Sequence, residues 1–243
     1  MTTPSGGPCP DCGVDNAADH NFCKHCGAPL VLLAPDGPLA LNFAHRKRDR
    51  CLELLRTSPA NPRVHFELGL AYYHLGDVGH ATAAFQRVLA LEPEYPHAHF
   101  HLALCHYRRG AMGECAAAAR RALALNPQSA PAWFRLGLAL FHLGRLAEAG
   151  DAFEHTLATD PQYVIAWYHL GIIRERQDDP LAAIDCFERI VDTNPDDASA
   201  HYHLGICYER AGKDGLAMGE LARALQLAPG DEAAASALQE LQR

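Results

Sequence analysis

The chain has 243 residues, 49% hydrophobic and 21% charged, which is the mix of a folded chain and excludes wholesale disorder. Lys plus Arg number 21 against 29 Asp plus Glu, and the net charge of -8 argues against a broadly nucleic-acid-binding or membrane-binding surface. The apolar run around Leu30 to Ala34 is too short to span a bilayer, and so is every other in the chain. Residues 1–8 read as a flexible start without the basic stretch and apolar core of a secretory signal. Nine cysteines, an odd number, fit a cytoplasmic protein with reduced thiols.

The first element is a cysteine pattern over residues 9–27. Cys9, Cys12, Cys23 and Cys26 form C-x₂-C-x₁₀-C-x₂-C, with Gly13 and Gly27 after the pairs. Four thiolates at this spacing can close a tetrahedral zinc shell, and glycine permits the tight turn after each pair. Iron in a rubredoxin-like site, a redox dithiol and a pair of disulfides are the competing readings. The segment resembles a short zinc ribbon, which implies one zinc ion on Cys9, Cys12, Cys23 and Cys26. So few apolar residues build no core, so metal would supply most of the folding free energy. Asp11, Asp15 and Asp19 against Lys24 leave the segment at net -2, which disfavours contact with phosphates.

A linker over 28–38 leads to a helix over 39–58. That helix carries Arg46, Lys47, Arg48 and Arg50, a run that reads as a solvated face or, alternatively, as a contact for nucleic acid or an acidic partner.

Beyond it the prolines set a period. Pro59, Pro93, Pro127, Pro161, Pro195 and Pro229 lie 34 residues apart, which defines units 62–95, 96–129, 130–163, 164–197 and 198–231 with proline at position 32. Position 8 is Gly69, Ala103, Gly137, Gly171 and Gly205; position 20 is Ala81, Cys115, Ala149, Ala183 and Ala217. Small residues there let two helices of each unit approach closely. Gly76, Gly110, Gly144 and Gly212 end the first helix, and the proline stops the second.

At these residues the chain resembles the tetratricopeptide repeat family, over 62–231. The resemblance implies an all-α, right-handed α-solenoid of five repeats plus flanking helices, with 39–58 as a partial repeat and 232–243 as a capping helix. The family's large aromatic at position 4 is Trp133 and Trp167 here, but His65, His99 and His201 elsewhere.

The resemblance also implies a concave groove lined by positions 2, 5, 6, 9, 12 and 13 of each first helix. The candidates it names are Phe100, His101, Leu104, Tyr107 and Arg108, then Phe134, Arg135, Phe141 and His142, then Tyr168, His169 and Arg176, then Tyr202, His203 and Arg210. Rings, aliphatic side chains and arginines suit a peptide with acidic and apolar anchors. The Lys and Asn of the family's carboxylate clamp are absent. His97, His101 and Cys105 share a helix face that could hold a metal, but the register also explains them as packing and groove positions. Cys51, Cys105, Cys115, Cys186 and Cys207 occupy small-residue slots. Paired carboxylates, a phosphate loop and a nucleophile motif are missing. The expected function is therefore a non-enzymatic interaction scaffold binding a peptide, with no membrane insertion. The alternative is an adaptor in transcription or translation whose ribbon or basic helix touches nucleic acid.

Overall fold

Five 34-residue units each repeat the same helical pair. A computed structural model describes the backbone of residues 7–8, 15–16 and 38–242, and the side chains of 42–242. The described residues fall into two compact units that divide between Arg145 and Leu146. The first holds two short strands and six helices. Strand β1 (Gly7–Pro8) pairs antiparallel with β2 (Asp15–Asn16), with Gly7 opposite Asn16 and Pro8 opposite Asp15. The helices are α1 (Pro38–Thr57), α2 (Pro62–His74), α3 (Val78–Leu91), α4 (Pro96–Arg108), α5 (Met112–Leu125) and α6 (Ala130–His142). The second unit holds α7 (Leu146–Thr159), α8 (Val164–Arg176), α9 (Pro180–Thr193), α10 (Ala198–Arg210), α11 (Asp214–Leu227) and α12 (Glu232–Leu241). In repeat numbering every first helix covers positions 1–13 and every second helix positions 17–30. The four cysteines of the pattern and residues 28–37 of the linker lie outside the described residues, and Pro38, expected as the linker's last residue, opens α1.

Local chemistry fixes the helix ends. Asn61, Asp77, Asp179, Asp197 and Asp231 each accept a backbone N–H of the first turn that would otherwise lack a partner. The turn between the two helices needs one residue in the left-handed region, and Gly76, Gly110, Gly144 and Gly212 supply it at φ near +70°. In the fourth unit the same place is taken by Asp178, at φ +59°. A side chain is strained there, so Asp178→Gly should stabilise the chain by about 0.5–1 kcal/mol in denaturant unfolding. No gain in midpoint would show that the Asp178 side chain compensates its backbone.

The core is built on close approach at position 8. A Cβ on Gly69 would sit 2.6 Å from the Phe85 ring, and one on Gly171 2.7 Å from Phe187. In the second unit of the repeat the pair is Ala103 and Ala119, both fully buried: a methyl enters where the phenyl has gone. Small and large trade places across the pair.

The departures at position 4 have one explanation. The ring nitrogens of His65, His99, Trp133, Trp167 and His201 each lie 2.8–3.1 Å from the carbonyl of the proline six residues earlier. A carbonyl only accepts, so each ring donates N–H. Imidazole and indole both place a donor at that reach, and His and Trp are thus equivalent here. His201 is further held through Nδ1, 2.6 Å from Glu220 Oε2.

Candidate peptide-binding face

Within each compact unit, successive first helices are joined by side chains 35 residues apart, from position 12 of one to position 13 of the next. The Arg108 guanidinium lies 3.7 Å over the Tyr73 ring, and its Nη1 donates to the Tyr73 carbonyl at 3.1 Å. Tyr107 Oη is 3.1 Å from His142 Nε2, and Arg135 stacks over the same phenol at 4.7 Å. In the second unit Arg210 donates to the Glu175 carbonyl at 3.2 Å and approaches the carboxylate at 3.7 Å. These links hold α2, α4 and α6 in register on one face, and α8 and α10 on another.

A second ladder runs beneath it. The position-6 imidazole stacks on the position-24 phenyl of the preceding repeat: His101 on Phe85, His169 on Phe153, and His203 on Phe187, with centroids 5.1–5.2 Å apart. Where position 24 shrinks to Ala119, position 6 becomes Arg135 and turns to Tyr107 instead. His203 also lies 3.1 Å from Glu175 Oε2 and 3.2 Å from Tyr168 Oη. The hydrogen bond from His203 is the main reason the Glu175 carboxyl is held below the usual carboxylate range, against the opposing effect of burial.

The structure places the candidate groove residues unequally. Phe100, His101, Leu104 and Phe134 are core residues, exposed by only 4%, 1%, 1% and 6%, so they offer little surface to a ligand. His101 in particular packs edge-on against Phe66 as well as flat on Phe85. Their burial has a simple cause: positions 5, 6 and 9 serve the seam between repeats before they serve the surface. Tyr107, Arg135, Phe141, Tyr168, His169, Tyr202 and His203 are half-buried, while Arg108, His142, Arg176 and Arg210 are exposed. Sequence reading missed that Glu175 is held by both His203 and Arg210, and that Tyr73 is the seat of Arg108. The joint change to Ala119 and Arg135 was the available clue to the second ladder.

Metal ligation is not supported on the helices. Among the described residues no three His, Cys, Asp or Glu side chains gather to hold an ion; His101 and Cys105 are buried while His97 is exposed. Cys9, Cys12, Cys23 and Cys26 lie outside the described residues. Among the described residues no helix is long and apolar enough to cross a membrane.

Comparison with known proteins adds the following. Residues 168–232 match the tetratricopeptide repeat family, and residues 74–156 match the family of anaphase-promoting complex, cyclosome, subunit 3. No curated protein matches the chain. The solved structure of YrrB, described as a TPR protein with an unusual peptide-binding site, superposes with a TM-score of 0.72 at 15% identity, covering 78% of this chain and 97% of that one. The structure of MamA has a TM-score of 0.63 at 24% identity, over 66% of this chain and 94% of MamA. MamA from Desulfovibrio magneticus RS-1 has a TM-score of 0.64 at 18% identity, over 70% of this chain and 97% of its own. Such likeness concerns the fold alone. The helical pairs are of the tetratricopeptide type.

Proposed function

We propose that the chain is a protein-interaction scaffold, without catalysis of its own, that holds a peptide on the first-helix faces. The observation that carries this reading is the register of α2, α4 and α6, tied by Arg108 to Tyr73 and by Tyr107 to His142. Registered rings and cations on a rigid face are preorganised for an extended or helical segment with acidic and apolar anchors. The peptide-binding site named for YrrB supports the same class of ligand. Screening the full chain against an immobilised peptide array should retain acidic, aromatic-rich sequences. Retention of basic peptides alone would defeat that choice of anchors.

The proposal includes a structural zinc on Cys9, Cys12, Cys23 and Cys26. The spacing supports it, and the pairing of Gly7–Pro8 with Asp15–Asn16 brackets the segment that contains Cys9 and Cys12. Freshly purified, reduced protein should contain one zinc per chain by elemental analysis. Changing Cys9 and Cys12 to Ser should remove it while the helical circular dichroism of the repeats persists. Wild type without zinc would refute the site. The thiol content suits a reducing, cytoplasmic setting.

A further inference from the structure

Charge is divided sharply along the chain. Residues 42–145 carry thirteen Lys and Arg against seven Asp and Glu, net +6, whereas residues 146–243 carry seven against eighteen, net -11. Two copies of the chain therefore attract each other through unlike halves and repel through like ones.

Helix α1 offers a contact on the cationic half. In the repeat register it is a second helix, yet no first helix precedes it among the described residues. Positions 20 and 27 are sealed in all five repeats, at 2% exposure or less, from Ala81 and Val88 to Ala217 and Ala224. In α1 the same positions are Lys47, half-buried, and Leu54, 43% exposed. Arg50 stands between them on the same ridge and is exposed. Neither Lys47 nor Arg50 has an ion pair among the described residues, unlike Arg48, which holds Asp49. The anionic half carries a counterpart on its second helices. Leu181 on the first turn of α9 and Leu216 on that of α11 are 60% and 53% exposed. Asp185 and Glu188 follow Leu181 along α9, Asp214 opens α11, and all three are exposed. Asp185 and Asp214 have no ion pair among the described residues, whereas Glu154 and Asp196 are held by Arg174 and Arg223. Glu188 accepts from Tyr208 through one oxygen, which leaves the other open.

We infer that the Lys47, Arg50 and Leu54 ridge of α1 is an interface, and that a second copy of this chain covers it with the Leu181, Asp185 and Glu188 ridge of its α9. Run antiparallel, the two ridges match in spacing. From Leu54 the cations stand 4 and 7 residues back; from Leu181 the carboxylates stand 4 and 7 residues on. Arg189, the cation next along α9, is turned onto the Trp167 ring. Two α1 ridges facing each other would oppose like charges, so the contact is head-to-tail. Each copy in such a pair keeps one ridge for a further copy, and assembly continues unless rotation closes a ring. Exposed ion pairs and few apolar contacts make it weak and salt-sensitive. A nucleic acid is the poorer occupant, because Asp49 and Glu53 lie among the cations of α1 and Leu54 has no counterpart on a phosphate backbone. Self-assembly of this kind does not depend on a peptide on the first-helix faces.

The test follows the full chain, in reducing buffer, by sedimentation velocity from about 5 to about 500 µM at about 0.05 M and about 0.5 M salt. At low salt the weight-average mass should at least about double across that range, and at high salt it should stay that of one chain. Lys47→Glu with Arg50→Glu should leave the chain monomeric at low salt, with an unchanged circular dichroism spectrum. Asp185→Lys with Asp214→Lys should do the same. Mixing the two variants should restore association, because the first keeps its α9 carboxylates and the second its α1 cations. That rescue also shows that both variants are folded. Wild type that stays monomeric at low salt, association undiminished by high salt, or a mixture no larger than its parts would overturn the interface. Oligouridine RNA bound by wild type at about 0.15 M salt, and lost with Lys47→Glu and Arg50→Glu, would assign α1 to nucleic acid and overturn the second copy as well.

Discussion

Gly171→Leu should unfold the fourth repeat or lower the denaturant midpoint severely, and Gly171→Ala should already cost about 1–3 kcal/mol. A Cβ at Gly171 meets three carbons of the Phe187 ring at 2.7–3.0 Å, closer than side-chain carbons pack. Phe187 is fully buried and stacked on His203, so the ring has little room to withdraw. Gly219 on α11 is the control, because a Cβ built there meets nothing within 4 Å. Gly219→Ala should stabilise by about 0.5–1 kcal/mol through helix propensity alone. The two substitutions are chemically identical and should move the urea midpoint in opposite directions. A shift of the same sign and size would mean that position 8 is not the point of closest helix approach. Relief should follow when Phe187 is cut to Ala beside Gly171→Ala, since Ala103 and Ala119 already form that pair.

The sequence made the repeats legible because each turn and each close approach demands a particular residue type. Proline at position 32, glycine at position 15 and small residues at positions 8 and 20 answer to backbone geometry, which recurs every 34 residues. Asp178 escaped this reading because Asp tolerates the left-handed region well enough to replace glycine there. Histidine at position 4 looked like a lost aromatic. Its equivalence with Trp became visible only with the proline carbonyl 2.9–3.0 Å away from His65, His99 and His201. The candidate face was harder to read. Phe100, His101, Leu104 and Phe134 occupy groove positions by their numbers, yet they are buried between neighbouring helices. A repeat register states which residues share a helix face, but not how far that face sinks into the next repeat. The charge division at Arg145 was legible by counting, once the chain was counted in halves rather than whole.

The buried thiols should be nearly inert until the repeats unfold. Cys51, Cys105, Cys115, Cys186 and Cys207 are free and buried. Burial pushes Cys105 and Cys115 up to about 11 and Cys186 and Cys207 up to about 12, and Cys51 is raised as well, chiefly by burial. Only the thiolate attacks a disulfide reagent, so at pH 8 a thiol titrating near 11 or 12 reacts on the order of a hundred- to a thousandfold more slowly than an ordinary one. Lack of access slows it further. Native protein treated with a zinc chelator and an aromatic disulfide should therefore release the reporter for four thiols promptly, those of Cys9, Cys12, Cys23 and Cys26. The remaining five should follow only in denaturant. The same groups predict an alkaline limit to stability. Folding holds their protons more tightly than the unfolded chain does, so their contribution is complete below about pH 9 and is lost as pH rises towards 11–12. Tyr208 acts in the same direction, raised first by burial and then by the hydrogen bond it donates to Glu188. Urea midpoints should thus fall steadily above pH 9, and less steeply once Cys186 and Cys207 are both replaced by Ala. Prompt reaction of six or more thiols in the native chain, or a midpoint unchanged between pH 8 and 11, would show that the repeats open far more readily than this packing allows.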